Sequence, residues 1–126
     1  MSTRARYIAL FIQGAVIWFM AAMFIRFTVL AGWMDGGPAT IIVFAFSLVG
    51  SCLGIELIHR IVRGERGEMV RSAAVIALVG AMLDGLAITW TPQLYSLDPA
   101  ARAIGGAWLL WIVGTILAYA LLRDRR

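Results

Sequence analysis

The sequence predicts an all-α membrane protein, one bundle of four transmembrane helices with both chain ends on the same side. Three observations predict it. Four apolar stretches, Tyr7–Ala31, Ala39–His59, Val70–Trp90 and Ala103–Leu122, fill nearly all of the 126 residues. At about 1.5 Å of rise per residue each can cross a hydrocarbon core of about 30 Å as a helix. The composition, 62% hydrophobic and 14% charged, is too apolar for a water-soluble domain of this length. The arginines, finally, gather on one side of the expected spans. The helices are expected at about 7–31, 39–59, 70–91 and 99–122, in a single domain covering 1–126. The short connections leave too little chain for a soluble core.

Helix 1 follows Arg4 and Arg6, the pattern of a signal peptide's charged start. Its apolar run is longer than a signal's, and Arg26 and Phe27 stand where a small-residue cleavage site would be, so it reads as an uncleaved span. Asp35-Gly36-Gly37-Pro38 is a turn, with Pro38 suited to the first turn of helix 2. Arg60–Met69 is a short polar loop before helix 3. Thr91-Pro92 ends helix 3, because proline disfavours helical geometry in the residue before it. In Ser96-Leu97-Asp98-Pro99, Asp98 is placed to cap helix 4, Pro99 fits its first position, and Arg102 stands four residues after Asp98.

All 11 basic residues are arginine, the usage of a GC-rich bacterial genome, and the net charge is +4. The arginines cluster at helix ends, which sets orientation and argues against a nucleic-acid partner. Arg4, Arg6, Arg60, Arg63, Arg66, Arg71, Arg123, Arg125 and Arg126 fall on one side. The other side has Arg102 in its loops, with Asp35 and Asp98. The positive-inside rule then expects a bacterial inner-membrane protein with both termini cytoplasmic. Trp33, Trp90 and Tyr95 are expected at the outer interface, Tyr7 and Tyr119 at the inner one. Cys52 is the single cysteine, so no disulfide forms within the chain.

Asp84 is the most informative residue. A carboxylate in hydrocarbon costs a few kcal/mol or more, so it is expected to face protein or water. Ala73, Ala77, Gly80, Asp84 and Ala87 form one narrow stripe of small residues, which aims Asp84 into the bundle. Arg26 is its expected partner, at similar depth in a parallel helix, on a face shared with Ala22, Trp18 and Ala15. Two readings stand. The pair is a structural ion pair, or Asp84 is an ion or proton site tuned by Arg26. Arg26 can also snorkel outward without touching Asp84.

Glu56 and His59, near the inner end of helix 2, are secondary polar candidates. Glu56 is expected to pair with Arg60 at i,i+4, and a proton relay would need Glu56 and His59 to face a cavity. Gln13 is expected to hydrogen-bond between helices. Gly50, Gly54, Ala77, Gly80, Gly106 and Gly114 are candidate helix-packing positions, within one chain or between chains. Trp108 and Trp111 read as packing groups. No metal-ligand cluster, cofactor motif or nucleophile beside a base is present in the sequence, and Asp84 and Glu56 lie in opposite halves of the membrane. No cofactor is expected, and the chain is expected not to be an enzyme.

Three segments resemble a family of small bacterial four-helix membrane proteins defined only as a domain of unknown function. These are Val79-Gly80-Ala81-Met82-Leu83-Asp84-Gly85, Tyr95-Ser96-Leu97-Asp98 and Gly106-Ala107-Trp108-Leu109-Leu110-Trp111. Gly14, Trp18 and Arg26 are similar to its first helix, whereas Tyr95-Ser96 replaces an aromatic-proline pair. The resemblance implies a fold and no activity. Two functions are expected: a non-catalytic accessory protein or small oligomer acting through helix contacts with lipid, copies of itself or another membrane protein, or a small-solute or proton-coupled transporter with Asp84 in its pathway.

Overall fold

In the computed structural model, which describes residues 2–125, the chain is all-helical. Helices α1 (Thr3–Leu30), α2 (Pro38–Ile61), α3 (Met69–Trp90) and α4 (Pro99–Asp124) are each long and apolar enough to cross a membrane. A 3₁₀ turn, Pro92–Leu94, lies between α3 and α4. The α1–α2 and α3–α4 connections meet at one end, called here the upper end. The α2–α3 loop and both chain ends meet at the lower one. Large apolar side chains stay exposed around the bundle, among them Phe46, Ile41, Leu53, Met82 and Leu110. Such surface is a liability in water and the expected contact in lipid.

The helix boundaries follow local chemistry. Ser2 caps α1 by accepting from the amide of Ala5, which starts the helix earlier than its apolar run. Pro38 opens α2, and Asp98 caps α4 ahead of Pro99 by accepting from the amide of Ala100. Arg102 does not pair with Asp98. Its guanidinium turns back to the Ser96 carbonyl at 3.2 Å, satisfying a loop oxygen instead.

Two glycines set the packing. A Cβ on Gly14 would lie 3.0 Å from the Val79 side chain, and one on Gly105 would lie 2.9 Å from Ile25. At the first point α3 approaches the α1 backbone, and at the second a side chain of α1 approaches the α4 backbone. The main contacts run α1 to α3, α3 to α4 and α4 to α2, while α1 and α2 stand apart. As contacts within one chain, five of the expected packing glycines are a correction: a Cβ on Gly50, Gly54, Gly80, Gly106 or Gly114 would meet nothing within 4 Å. Spacing reveals a small-residue stripe but not whether a neighbour comes close to it. Ala77 is buried, together with Ala73 and Ala87 on the same stripe.

The lower end is tied by charge. Asp124 accepts from the amides of Met69 (3.1 Å) and Val70 (2.8 Å), so the end of α4 caps the start of α3. Those amides have no intrahelical partner, and the positive end of the helix dipole favours a carboxylate there. Glu68 joins Arg6 at 2.7 Å and Arg71 at 3.1 Å, linking α1 to α3.

Two predictions follow from the packing and the cap. Gly105→Ala should cost about 1–3 kcal/mol through overpacking. Gly114→Ala, in open space, should be neutral or stabilising by up to about 1 kcal/mol from helix propensity. Unfolding in mixed detergent micelles measures both, and equal effects would mean that α4 does not press on Ile25. Asp124→Ala should cost about 0.5–2 kcal/mol as a lost helix cap. Hydrogen exchange checks its location, because the Met69 and Val70 amides should be deprotected first.

Candidate functional site

Asp84 projects from the inward stripe of α3, and its partner is not Arg26. The Tyr95 hydroxyl donates to Asp84 Oδ1 at 2.6 Å, and the Trp18 indole N–H donates to that hydroxyl at 3.3 Å. Proline at 92 ends α3 and starts the 3₁₀ turn, and the turn folds Tyr95 back into the bundle, where it is 3% exposed. Tyr95 thus packs against the bundle from the α3–α4 connection. Burial, and the Asp84 carboxylate beside it, push the Tyr95 phenol above its ordinary range. It therefore stays a neutral donor at physiological pH.

The expected Arg26–Asp84 ion pair is not formed. Among the described residues the ion pairs are Arg6–Glu68, Arg60–Glu56, Arg71–Glu68 and Arg123–Glu56. Arg26 is exposed. The buried stripe of α1 runs through Leu10, Gly14, Ala22, Ile25 and Thr28. Arg26 follows Ile25 by one residue and is thereby turned about 100° away from it. Ala15, expected on Arg26's inward face, is exposed too. Equal depth in parallel helices did not bring the two charges onto facing surfaces.

Asp84 lines a cavity of about 540 Å³ between the four helices. The cavity borders the gap between α1 and α2. At the level of Asp84 its wall is aromatic. Phe24 stacks on Trp108 with ring centroids 5.0 Å apart, and the Trp108 indole donates to Ser47 Oγ at 2.7 Å. Trp18 completes this layer, and Phe46, 77% exposed, stands at its open edge. Below it, Gly50, Gly54 and Gly80 leave room where side chains would otherwise meet, and Ile55, Ile58, Ile76 and Ile116 form the floor. Gly50, Gly54 and Gly80 thus shape the cavity and are not pressed against another helix of this chain.

The secondary candidates lie at the lower end. Glu56 accepts from Tyr119 at 3.0 Å and pairs with Arg60 at 3.4 Å and Arg123 at 3.5 Å. It shares a separate polar cavity of about 590 Å³ with His59, Glu65, Arg66 and Asp124. His59 Nε2 lies 3.1 Å from the Glu65 carbonyl and Nδ1 lies 3.1 Å from Ser72 Oγ. A carbonyl can only accept, so Nε2 carries a proton. The ring also lies against Gly64, where any Cβ would overlap it. Both ring nitrogens are therefore occupied in holding the α2–α3 turn. Gln13 makes no hydrogen bond between helices, and its Oε1 is buried without a partner.

Tyr95 and Trp18 are the site residues that sequence reasoning missed as partners of Asp84. The available signal was Pro92, three residues ahead of Tyr95, because a turn there can return an aromatic to the bundle. Comparison with known families, with curated proteins and with solved structures finds no match.

The hydrogen-bond pattern predicts which charges and hydroxyls are coupled. Tyr95→Phe should cost about 1–3 kcal/mol, because it leaves the carboxylate without its donor. Tyr95→Phe and Asp84→Leu should be non-additive by about 0.5 kcal/mol or more, whereas Arg26→Leu and Asp84→Leu should add within about 0.5 kcal/mol. Double-mutant cycles on unfolding in mixed micelles test this, and coupling between Arg26 and Asp84 would restore the ion pair.

Proposed function

We propose that this protein is a solute-binding carrier of the bacterial inner membrane, with its site in the cavity beside Asp84. One observation carries the reading: the intramembrane carboxylate is not neutralised by an arginine and faces a cavity large enough for a small molecule. Small-molecule sites are about 300–1,000 Å³, mostly apolar, with a few placed polar groups. Ionisable groups inside membranes that face cavities mark ion and substrate paths. Tyr95 and Trp18 hold the carboxylate in place while leaving its charge uncompensated. In this reading Asp84 exchanges a proton or an ionic solute, and a second copy closes the gap between α1 and α2.

The arginines support the orientation. Arg4, Arg6, Arg60, Arg63, Arg66, Arg71, Arg123 and Arg125 belong to segments at the lower end, which we place in the cytoplasm with both termini. A second reading, as a helix-contact accessory subunit, is favoured by the small-residue positions on α2 and α4 that no helix of this chain covers.

Reporter fusions at either terminus should be active in the cytoplasm, and one after Asp98 should be active outside. For the site, tryptophan fluorescence of the protein in lipid nanodiscs, titrated with amphipathic solutes of differing charge, should show saturable quenching. Gly80→Phe, which fills the cavity one turn from Asp84, should abolish it. Quenching insensitive to that change would remove the carrier reading. A stable hetero-complex on mild extraction would then favour the accessory one.

A further inference from the structure

Resting on the reading of this cavity as a binding site, we infer that its ligand is a lipophilic organic cation, held by its charge at Asp84 and by its apolar body against Trp18, Phe24, Phe46 and Trp108. Asp84 is the one charged residue lining the cavity, and no arginine or histidine lines it. Its carboxylate accepts from a neutral donor, Tyr95. A carboxylate in so apolar a setting carries a desolvation cost that a cation offsets and an anion increases. The aromatic faces at the same level add cation–π attraction.

The other cation classes fit poorly. A metal ion needs four or more ligands, and no group of three or more His, Cys, Asp or Glu side chains is placed to hold one among the described residues. A primary ammonium carries three donors. Besides Asp84, the polar side chains of the lining are Ser47 and Ser51, apart from the Trp18 and Trp108 indoles, which are donors. Ser47 Oγ already accepts from Trp108 and donates to the Val43 carbonyl at 2.7 Å. A quaternary ammonium or phosphonium has no donors to satisfy and matches this wall. The cation then lies at the aromatic layer, with its apolar groups extending along Gly50, Gly54 and Gly80 towards the isoleucine floor.

Tetraphenylphosphonium and tetraphenylborate, nearly the same in shape and opposite in charge, test the charge selection. Binding is measured by equilibrium dialysis against the full-length protein in nanodiscs, with empty nanodiscs subtracting partition into lipid. The phosphonium should bind saturably and the borate should not. Asp84→Asn should weaken phosphonium binding by about tenfold or more, equivalent to ~1.4 kcal/mol. Asp84→Glu, which keeps the charge, should retain binding and shows that the position tolerates change. Gly80→Phe should abolish it. If the borate binds equally well, or Asp84→Asn leaves phosphonium affinity unchanged, the cation inference is overturned. Sensitivity to Gly80→Phe in that case leaves the cavity as a site for another solute class. If neither ion binds saturably, or binding ignores Gly80→Phe, the cation inference and the carrier reading fall together.

Discussion

The close approach of α3 and α4 to α1 is the constraint from which the other features descend. Gly14 admits Val79, and Gly105 admits Ile25, so α1 is held from two sides. In lipid there is little hydrophobic gain from joining helices, and packing at small residues is a main source of association. α2 has no comparable glycine pressed against α1 and packs chiefly on α4. The gap that remains between α1 and α2 borders the cavity. The same inward stripe of α3 that lets it settle against the bundle carries Asp84 to the cavity wall.

The lower end compensates for the open side. α1 and α3 are linked through Arg6 and Glu68, α3 and α4 through the Asp124 cap, and α2 and α4 through Glu56 with Tyr119 and Arg123. Each helix is therefore joined to a neighbour near its lower end by a charged contact. Such contacts are weak when fully exposed. Here the Glu68 and Glu56 side chains are 24% and 17% exposed, so water screens them less. The upper end has no equivalent lattice. Its connecting element is the buried Tyr95, which belongs to a loop and reaches Asp84 and Trp18. The upper end is held instead by apolar packing, in the cluster that joins Ala22, Ile25, Met34, Val43, Ala87, Tyr95, Trp108 and Leu109.

Much of the fold was legible because it depends on local chemistry. Pro38, Asp98-Pro99 and Thr91-Pro92 fix helix boundaries by backbone geometry, and the apolar runs fix helix number. The inward direction of Asp84 was legible from the Ala73–Ala87 stripe, since period and residue size both appear in a sequence. Its partner was not. Arg26 had the right charge and depth, but α1 turns Ile25 into the bundle, against Gly105, a contact between residues 80 positions apart. Gly105 and Gly106 look alike in sequence, yet only Gly105 meets a neighbour. Likewise Gly50 and Gly54 carry the same spacing whether a helix fills the groove or leaves it empty.

The choice of tyrosine over arginine beside Asp84 bears on what the site can do. A buried Arg–carboxylate pair compensates both charges, and taking it apart leaves each of them buried alone. It would make the carboxylate unavailable. A phenol gives one hydrogen bond, orients the carboxylate and leaves the net charge in place. Burial and the nearby carboxylate keep Tyr95 protonated, so in the proposed site it would not compete as an anion for a cation. Arg26, turned outward, adds no competing positive charge to the cavity lining. The arrangement therefore combines a fixed position with an unspent charge. In the proposed carrier that combination would serve reversible exchange of a counter-ion, whereas a structural lock would call for the ion pair that α1 does not provide.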